Sequence, residues 1–246
     1  MSRFTSLTVI IPAYNEGPRI SKVVQDSLDV IRRCADRGDI LLIDDGSQDD
    51  TRTVLQSLSQ SHPEVKWSSH ARNKGFGSTL KELLLTAPGD WVAFLPGDGQ
   101  IPPQEILKMA HHANGFDLLI GCRRPRQDPW KRRLMSWLYN VWVSVIAGQR
   151  LVDVDGALLI RRPVLDGLVL NSEGLFIQGE LCAKTRLRGF KIGEVVISHR
   201  HREGGRPVAI HWKSLFQTYQ DTARFLLRDR WVALSARRAK KEQELR

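Results

Sequence analysis

An α/β fold, with a mostly parallel central sheet and helices on both faces, is what this sequence predicts. Two observations carry that expectation. Short apolar runs alternate with apolar stripes at helical spacing through the first half of the chain. The runs also end in loops rich in carboxylates and glycines, as they do where the carboxyl ends of strands face a polar ligand. A chain of 246 residues, 41% hydrophobic and 26% charged, can bury one sizeable core.

Each element follows from its own pattern. Residues 7–11, LTVII, read as a buried strand, after which Ile20, Val23, Val24, Leu28 and Ile31 recur at helical spacing. Residues 40–43 are the second strand. Ser47 with Asp50 resembles a capping box for the helix carried by Thr51, Val54, Leu55 and Leu58. A short strand at 65–67 is followed by a helix over 78–87, a strand at 91–95, a helix over 103–113 and a strand at 116–120. The second half is less regular, with helices expected over 131–147, 178–188 and 212–230 and strands near 157–160 and 190–197. No linker interrupts the chain. The expected organisation is a catalytic domain over 1–211, followed by an amphipathic helix and basic tail over 212–246.

Composition narrows the classes. Cys34, Cys122 and Cys182 lie far apart and lack metal-ligand spacing, so they read as reduced thiols. The first residues run into a strand without the apolar core of a signal peptide, which gives a cytoplasmic expectation. The net charge of +10 predicts anionic partners. That charge is clumped: Arg123, Arg124, Arg126, Lys131, Arg132 and Arg133 stand against Asp128 alone, and a second clump occupies 199–206. These clumps lack interleaved aromatics and no nucleic-acid motif is present, so nucleic acid is not the expected partner. Residues 134–148 are the most apolar stretch, but they fall short of the ~20 residues that cross a bilayer. They read either as a core helix or as a helix at a membrane surface, with one of Trp137 and Trp142 at the headgroups and the other packed on the core.

The chemistry-bearing residues sit at the strand ends. Asp44 and Asp45 end the second strand; an acid there can accept from a base N–H or sugar hydroxyls, or it can belong to a turn that caps the next helix. The loop 72–78, with Lys74 and Gly75, brings backbone N–H groups to a helix start and suits a phosphate, though a plain loop fits it equally. Asp98 and Gln100, two apart after Gly97, offer one carboxylate and one amide oxygen. That pair suits a hard cation completed by substrate phosphates, or else forms a simple turn. Asp153 and Asp155 are a second acidic pair placed to face Asp98, or solvated loop acids; Glu180 opens a helix, where a dipole role also explains it.

Together, residues 9–16 (VIIPAYNE), 44–51 (DDGSQDDT), 73–77 (NKGFG) and 97–105 (GDGQIPPQE) resemble the family 2 glycosyltransferases. Within that family the chain is most similar to the polyprenyl-phosphate sugar transferases of the dolichol-phosphate mannose synthase type. Residues 121–128 (GCRRPRQD), 153–156 (DVDG), 179–180 and 201–206 (HREGGR) fit the later motifs, and the likeness covers roughly 7–206. The resemblance implies a nucleotide-sugar-binding, Rossmann-like GT-A fold. It also implies transfer of a sugar from a nucleotide diphosphate sugar to a polyprenyl phosphate, with Mg²⁺ or Mn²⁺ as cofactor. The family's metal motif usually reads Asp-x-Asp before x-Gln; here Pro96 holds the first acidic position, leaving Asp98 and Gln100. Many relatives carry C-terminal membrane spans that this sequence lacks, so contact with lipid is expected at the surface, peripherally on the cytoplasmic face.

The expected mechanism is an inverting transfer. Pro12, Ala13, Tyr14, Glu16 and Asp45 meet the nucleoside, and the cation at Asp98 and Gln100 neutralises the leaving diphosphate. A phosphate acceptor is already largely ionised near neutral pH, since its second pKa lies near ~6, so it needs cations more than a base. Arg123, Arg126, Arg200 and Arg202 supply them. The alternatives are transfer to a saccharide hydroxyl, with Asp153, Asp155 or Glu180 as base, and a non-catalytic binding protein.

Overall fold

Parallel strands buried on both faces require runs that are apolar at every position, and Val9, Ile10 and Ile11 supply one. All three are fully buried. They lie in β1 (Phe4–Ala13), which pairs in parallel with β2 (Ala35–Asp44) on one side and β4 (Trp91–Phe94) on the other. Successive side chains point to opposite faces. Val9 and Ile11 therefore join one core with Ile20, Val23 and Val24 of α1 (Gly17–Cys34). Ile10 joins a second core with Leu80, Leu83 and Leu84 of α3 (Phe76–Thr86). The helical stripe read from Ile20 to Ile31 is the buried face of α1.

The computed structural model describes residues 3–126, 130–201 and 212–229. The remaining elements are α2 (Thr51–Ser61), β3 (Val65–Ser69), α4 (Glu105–His111), β5 (Leu118–Arg123), α5 (Trp130–Ala147), β6 (Leu158–Arg161), α6 (Arg162–Leu165), α7 (Ile177–Leu187), β7 (Ile192–Ile197) and α8 (Trp212–Arg224), which runs into a π-helical turn, Phe225–Asp229. Among the described residues the seven strands form one sheet in the order β3-β2-β1-β4-β6-β5-β7. All are parallel except β6, which is antiparallel to both β4 and β5.

That reversed strand matters for the site. Leu158, which begins β6, lies opposite Phe94 at the end of β4 and opposite Ile120 near the end of β5. Residues 153–157 therefore arrive at the edge where the parallel strands end. Strand order turns back between β1 and β4, and such a switch point opens a crevice at the carboxyl ends of the strands.

Several expectations are corrected. The capping box does not form: α2 begins at Thr51, its cap residue Asp50 makes no side-chain capping bond, and Ser47 Oγ instead accepts from Asn15 N. Asp49 does the capping work, with Oδ1 accepting from Thr51 N at 3.0 Å. The second strand extends back to Ala35, directly after α1, because Phe4 and its neighbours give it a partner along its full length. The short α6 was not anticipated from the sequence. In the C-terminal segment, Asp221 is buried and accepts from the backbone of Glu173 and Gly174, and Phe225 packs edge-on to Phe176. The described part of that segment is thus packed on the sheet domain, while the rest of it, 230–246 with the expected basic tail, lies outside the described residues.

Candidate functional site

The loops that follow β1 and β2 are laced together by short side chains. Asn15 N donates to Ser47 Oγ at 2.9 Å, Gln48 N donates to Asn15 Oδ1 at 2.8 Å, and Glu16 N donates to Thr51 Oγ1 at 2.9 Å. Asn15 itself has a positive φ of 56°, a conformation asparagine tolerates better than most side chains. Pro12 and Tyr14 remain partly or largely exposed at this rim. Ala13 does not: its methyl is in the core, and its carbonyl accepts from Asp45 N. Glu16 is also buried, with Oε2 held by Arg19 at 2.7 Å. Ala13 and Glu16 thus shape the rim from beneath and do not present side chains to a ligand.

The two strand-end aspartates divide their work. Asp44 is fully buried; its Oδ1 accepts from Ser47 N, while its Oδ2 makes no hydrogen bond and has Arg52 Nε 3.5 Å away, an ion contact too long for a good hydrogen bond. Asp45 is committed. Its Oδ1 accepts from Lys74 N and its Oδ2 from Gly75 N, both at 2.8 Å, and His70 Nδ1 lies 2.7 Å from Oδ1. The carboxylate expected to meet the nucleoside therefore holds the following loop in place. Gly75, with φ of 94°, and Gly46, with φ of 73°, allow the two loops to meet: a side chain on Gly46 would lie 2.8 Å from the backbone of Arg72 and Asn73. The Lys74 ammonium is half-exposed, 3.7 Å from Glu82.

After β4, Gly97 packs against the Pro12 carbonyl, where an added Cβ would sit 3.0 Å away. Asp98 Oδ1 accepts from Gln100 N at 3.0 Å. Gln100 pairs with a distant segment: Arg200 N donates to Gln100 O at 2.8 Å, and Gln100 Nε2 donates to Arg200 O at 3.2 Å. Arg200, exposed, is thereby fixed beside the Asp98 loop. Arg202 lies outside the described residues. Asp98 and Gln100 bring one carboxylate and one amide, and no cluster of three His, Cys, Asp or Glu suited to a metal ion occurs among the described residues. That donor set fits a hard cation only if substrate oxygens complete its shell.

A second cluster forms around Asp153, and it changes the role expected for that residue. Arg123 donates to it through Nε at 2.8 Å, Nη2 at 2.7 Å and its backbone N at 2.9 Å; Arg126 Nη1 is 3.5 Å away and bonds Ser136 Oγ of α5 at 2.7 Å. Burial alone would push the Asp153 carboxyl up, but the hydrogen bonds and charge of Arg123, with help from Arg126, hold it below the usual carboxylate range. A carboxylate so stabilised is a poor base. Nor does it stand as a ligand facing Asp98, since its oxygens are filled by guanidinium and amide donors.

Glu180 is corrected more firmly. It is fully buried, accepts from the backbone of Asn171 and Ser172, and pairs with Lys184 at 2.6 Å. It clamps the 171–172 turn to α7 and is closed to a substrate. Asp155 is the partly exposed acid of the set; after burial, its charge is the next cause that raises the Cys182 thiol. Sequence reasoning missed His70, which is buried with Nε2 3.1 Å from Glu82 Oε2 and so ties the end of β3 to α3. A single histidine amid polar residues, with partners 25 and 12 positions away, gives no local signal.

Residues 8–162 match the family model described as glycosyl transferase family 2. Among curated proteins, the chain is 28% identical over 210 residues to an undecaprenyl-phosphate 4-deoxy-4-formamido-L-arabinose transferase of Proteus mirabilis, which aligns with 82% of the chain. It is 30% identical over 206 residues to the protein of that name from Pectobacterium atrosepticum, with 81% of the chain aligned. The chain spans 62% and 61% of the lengths of these two relatives. Among solved structures, it is similar to glucosyl-3-phosphoglycerate synthase from Mycobacterium tuberculosis in complex with Mn²⁺, UDP and glucosyl-3-phosphoglycerate. There the TM-score is 0.68 at 20% identity, over 91% of this chain and 80% of that one. The fold is therefore the expected GT-A architecture.

Proposed function

Because the chain belongs to glycosyl transferase family 2, we propose that it moves a sugar from a nucleotide diphosphate sugar to a polyprenyl phosphate, with inversion at the anomeric carbon. The donor lies across the rim formed by Pro12, Tyr14 and the loop at Lys74 and Gly75, and the buried Asp44 shapes that rim from beneath. Lys74 faces the diphosphate. Asp98 and Gln100 would hold Mg²⁺ or Mn²⁺, which when bound supplies Lewis-acid neutralisation of the leaving diphosphate. Asp45 and His70 keep the loop that faces the phosphates in one conformation.

One observation favours a phosphate acceptor over a saccharide hydroxyl. Of the three carboxylates suited in sequence to act as a base, Asp153 is committed to Arg123 and Glu180 is closed off beneath the backbone of Asn171 and Ser172, while Asp155 is only partly exposed. A phosphate oxygen near neutral pH is already a nucleophile and needs cations to position it. Arg126, beside Ser136, and the exposed Arg124 and Arg200 provide those cations. The Arg123–Asp153 pair then acts as a brace that fixes the loop carrying Arg124 and Arg126. The names of the curated relatives support the same acceptor class. Such an acceptor places the protein at a membrane surface.

The test is incubation with radiolabelled nucleotide sugars and undecaprenyl phosphate, followed by organic extraction. Label in the organic phase, dependent on divalent cation, is the expected result. Label that stays aqueous on a saccharide acceptor, with none extracted, would overturn the reading.

A further inference from the structure

The helix α5 carries apolar side chains on two faces: Val143, Ile146 and Ala147 are buried in the core, and a second set is not. The second set faces solvent: Trp130 is 68% exposed, Trp137 59% and Val145 64%, and Leu134, Met135, Leu138, Val141 and Trp142 are all exposed as well. Its inward face adds polar groups to that core packing. Asn140 is buried, donating to Val152 O at 2.8 Å and accepting from Val154 N at 2.9 Å, and Ser144 Oγ accepts from Leu151 N at 2.9 Å. These bonds set the rotation of the helix, so the outward apolar face is a fixed feature. At about 100° per residue, the eight apolar positions fill an arc of roughly 160°. Trp137 stands at one edge of it and Trp142 next to Met135 near the other, both exposed; the expectation that one of them packs on the core is not met.

We propose that this face is a docking surface for an anionic lipid bilayer, lying flat in the headgroup region. Charge selects that occupant. The helix contains no acidic residue, its first turn carries Lys131, Arg132 and Arg133, and Arg124 and Arg150 are exposed just beyond its two ends. A second copy of the chain docked face to face would set those cations against their own equivalents. No described helix is long and apolar enough to cross a membrane, so the stripe rests on a bilayer and does not enter it end-on. Tryptophans flanking an apolar stripe that is bordered by arginines match the two zones of the lipid interface. Arg126 bonds Ser136 on the inward side of this helix, and the exposed Arg124 lies two residues before Arg126. Arg124 is then the cation that a lipid-borne phosphate meets at this surface while its chain stays in the bilayer, an inference that rests on the acceptor class proposed above.

The experiment measures co-sedimentation of the full chain with phosphatidylcholine vesicles and with phosphatidylcholine–phosphatidylglycerol vesicles, neither containing polyprenyl phosphate. Wild type should bind the anionic vesicles more strongly, release as salt rises, and show a blue shift of tryptophan emission on binding. A Trp137→Gln, Leu138→Gln, Val141→Gln variant changes only exposed positions. It should lose about tenfold or more in partitioning while keeping its melting temperature. R133E should weaken anionic binding and spare neutral binding. Absence of vesicle binding in wild type, or equal binding by the triple variant, overturns the proposal. So does a wild-type dimer that the triple variant converts to monomer without any change in vesicle binding. Because these assays contain no acceptor, vesicle binding that survives a failure of sugar transfer overturns the acceptor reading alone.

Discussion

The imidazole of His70 lies with Nδ1 2.7 Å from Oδ1 of Asp45, in a pocket where both side chains are only 5% exposed. Asp45 in turn receives the amides of Lys74 and Gly75. Three groups thus converge on one carboxylate, and the loop expected to face the donor phosphates hangs from it.

His70→Ala should loosen that loop. A buried acceptor deprived of a partner costs on the order of 1–3 kcal/mol, and each 1.4 kcal/mol of lost loop order corresponds to about tenfold in donor affinity. Donor KM should rise more than kcat falls, since the loop acts equally on ground and transition states. His70→Asn, which keeps a donor toward Asp45, should recover part of the loss. A kcat defect at unchanged donor affinity would contradict the role.

Asp98→Ala should leave the melting temperature nearly unchanged, because the side chain is partly exposed and its Oδ1 accepts only from the nearby Gln100 N. Turnover should fall by about 100-fold or more if its charge supports the cation that neutralises the leaving group. Retained turnover in the variant, or full wild-type activity in excess chelator, would remove Asp98 from the metal site.

Asp153 gives a prediction in pH. Its folded-state pKa is held down by Arg123 against burial. A depressed carboxyl contributes stability that is present above its unfolded value, about 3.9, and is lost as pH falls through the folded value. Asp153→Asn should cost about 3–5 kcal/mol near neutrality, since it strands a buried guanidinium. Its melting temperature should then fall less steeply in acid than that of wild type. Parallel melting curves from neutral to acid pH would show that Asp153 is not held down.

Gly77→Ala should destabilise the protein. The new Cβ would lie 2.2 Å from the Gly174 carbonyl oxygen and 2.4 Å from that of Glu173, backbone atoms that cannot rotate away. The cost of such overpacking is about 1–3 kcal/mol, read by denaturant titration. An unchanged midpoint would mean that the 173–174 segment moves freely.

The three cysteines are buried, and burial pushes the Cys34 thiol up to about 11 against the lowering influence of Arg3 and Arg33. Native protein should react slowly with a thiol reagent at pH 8 and fully once unfolded. Fast native labelling of Cys34 would contradict its placement.

The sequence by itself determined the strands, most of the helices and the set of loops that carry the chemistry. That information is local: Val9 to Ile11 are apolar at every position because both faces of β1 are covered, and the stripe from Ile20 to Ile31 repeats within a few turns. Only the tertiary structure decided what the acidic residues do. Asp153 meets Arg123 across 30 positions and Asp45 meets His70 across 25, and no periodicity encodes a partner at that distance. Glu180 looked like a helix-start acid and is a buried clamp for the same reason. The direction of β6, which brings Asp153 and Asp155 to the strand ends, is likewise set by its pairing with β4 and β5. For α5 the pattern was legible and its orientation was not. Ser136, Asn140 and Ser144 form a polar line within the most apolar stretch of the sequence. They face inward because the backbone at Leu151, Val152 and Val154 and the guanidinium of Arg126 need hydrogen-bond partners there, and that demand exists only once those segments have folded against the helix.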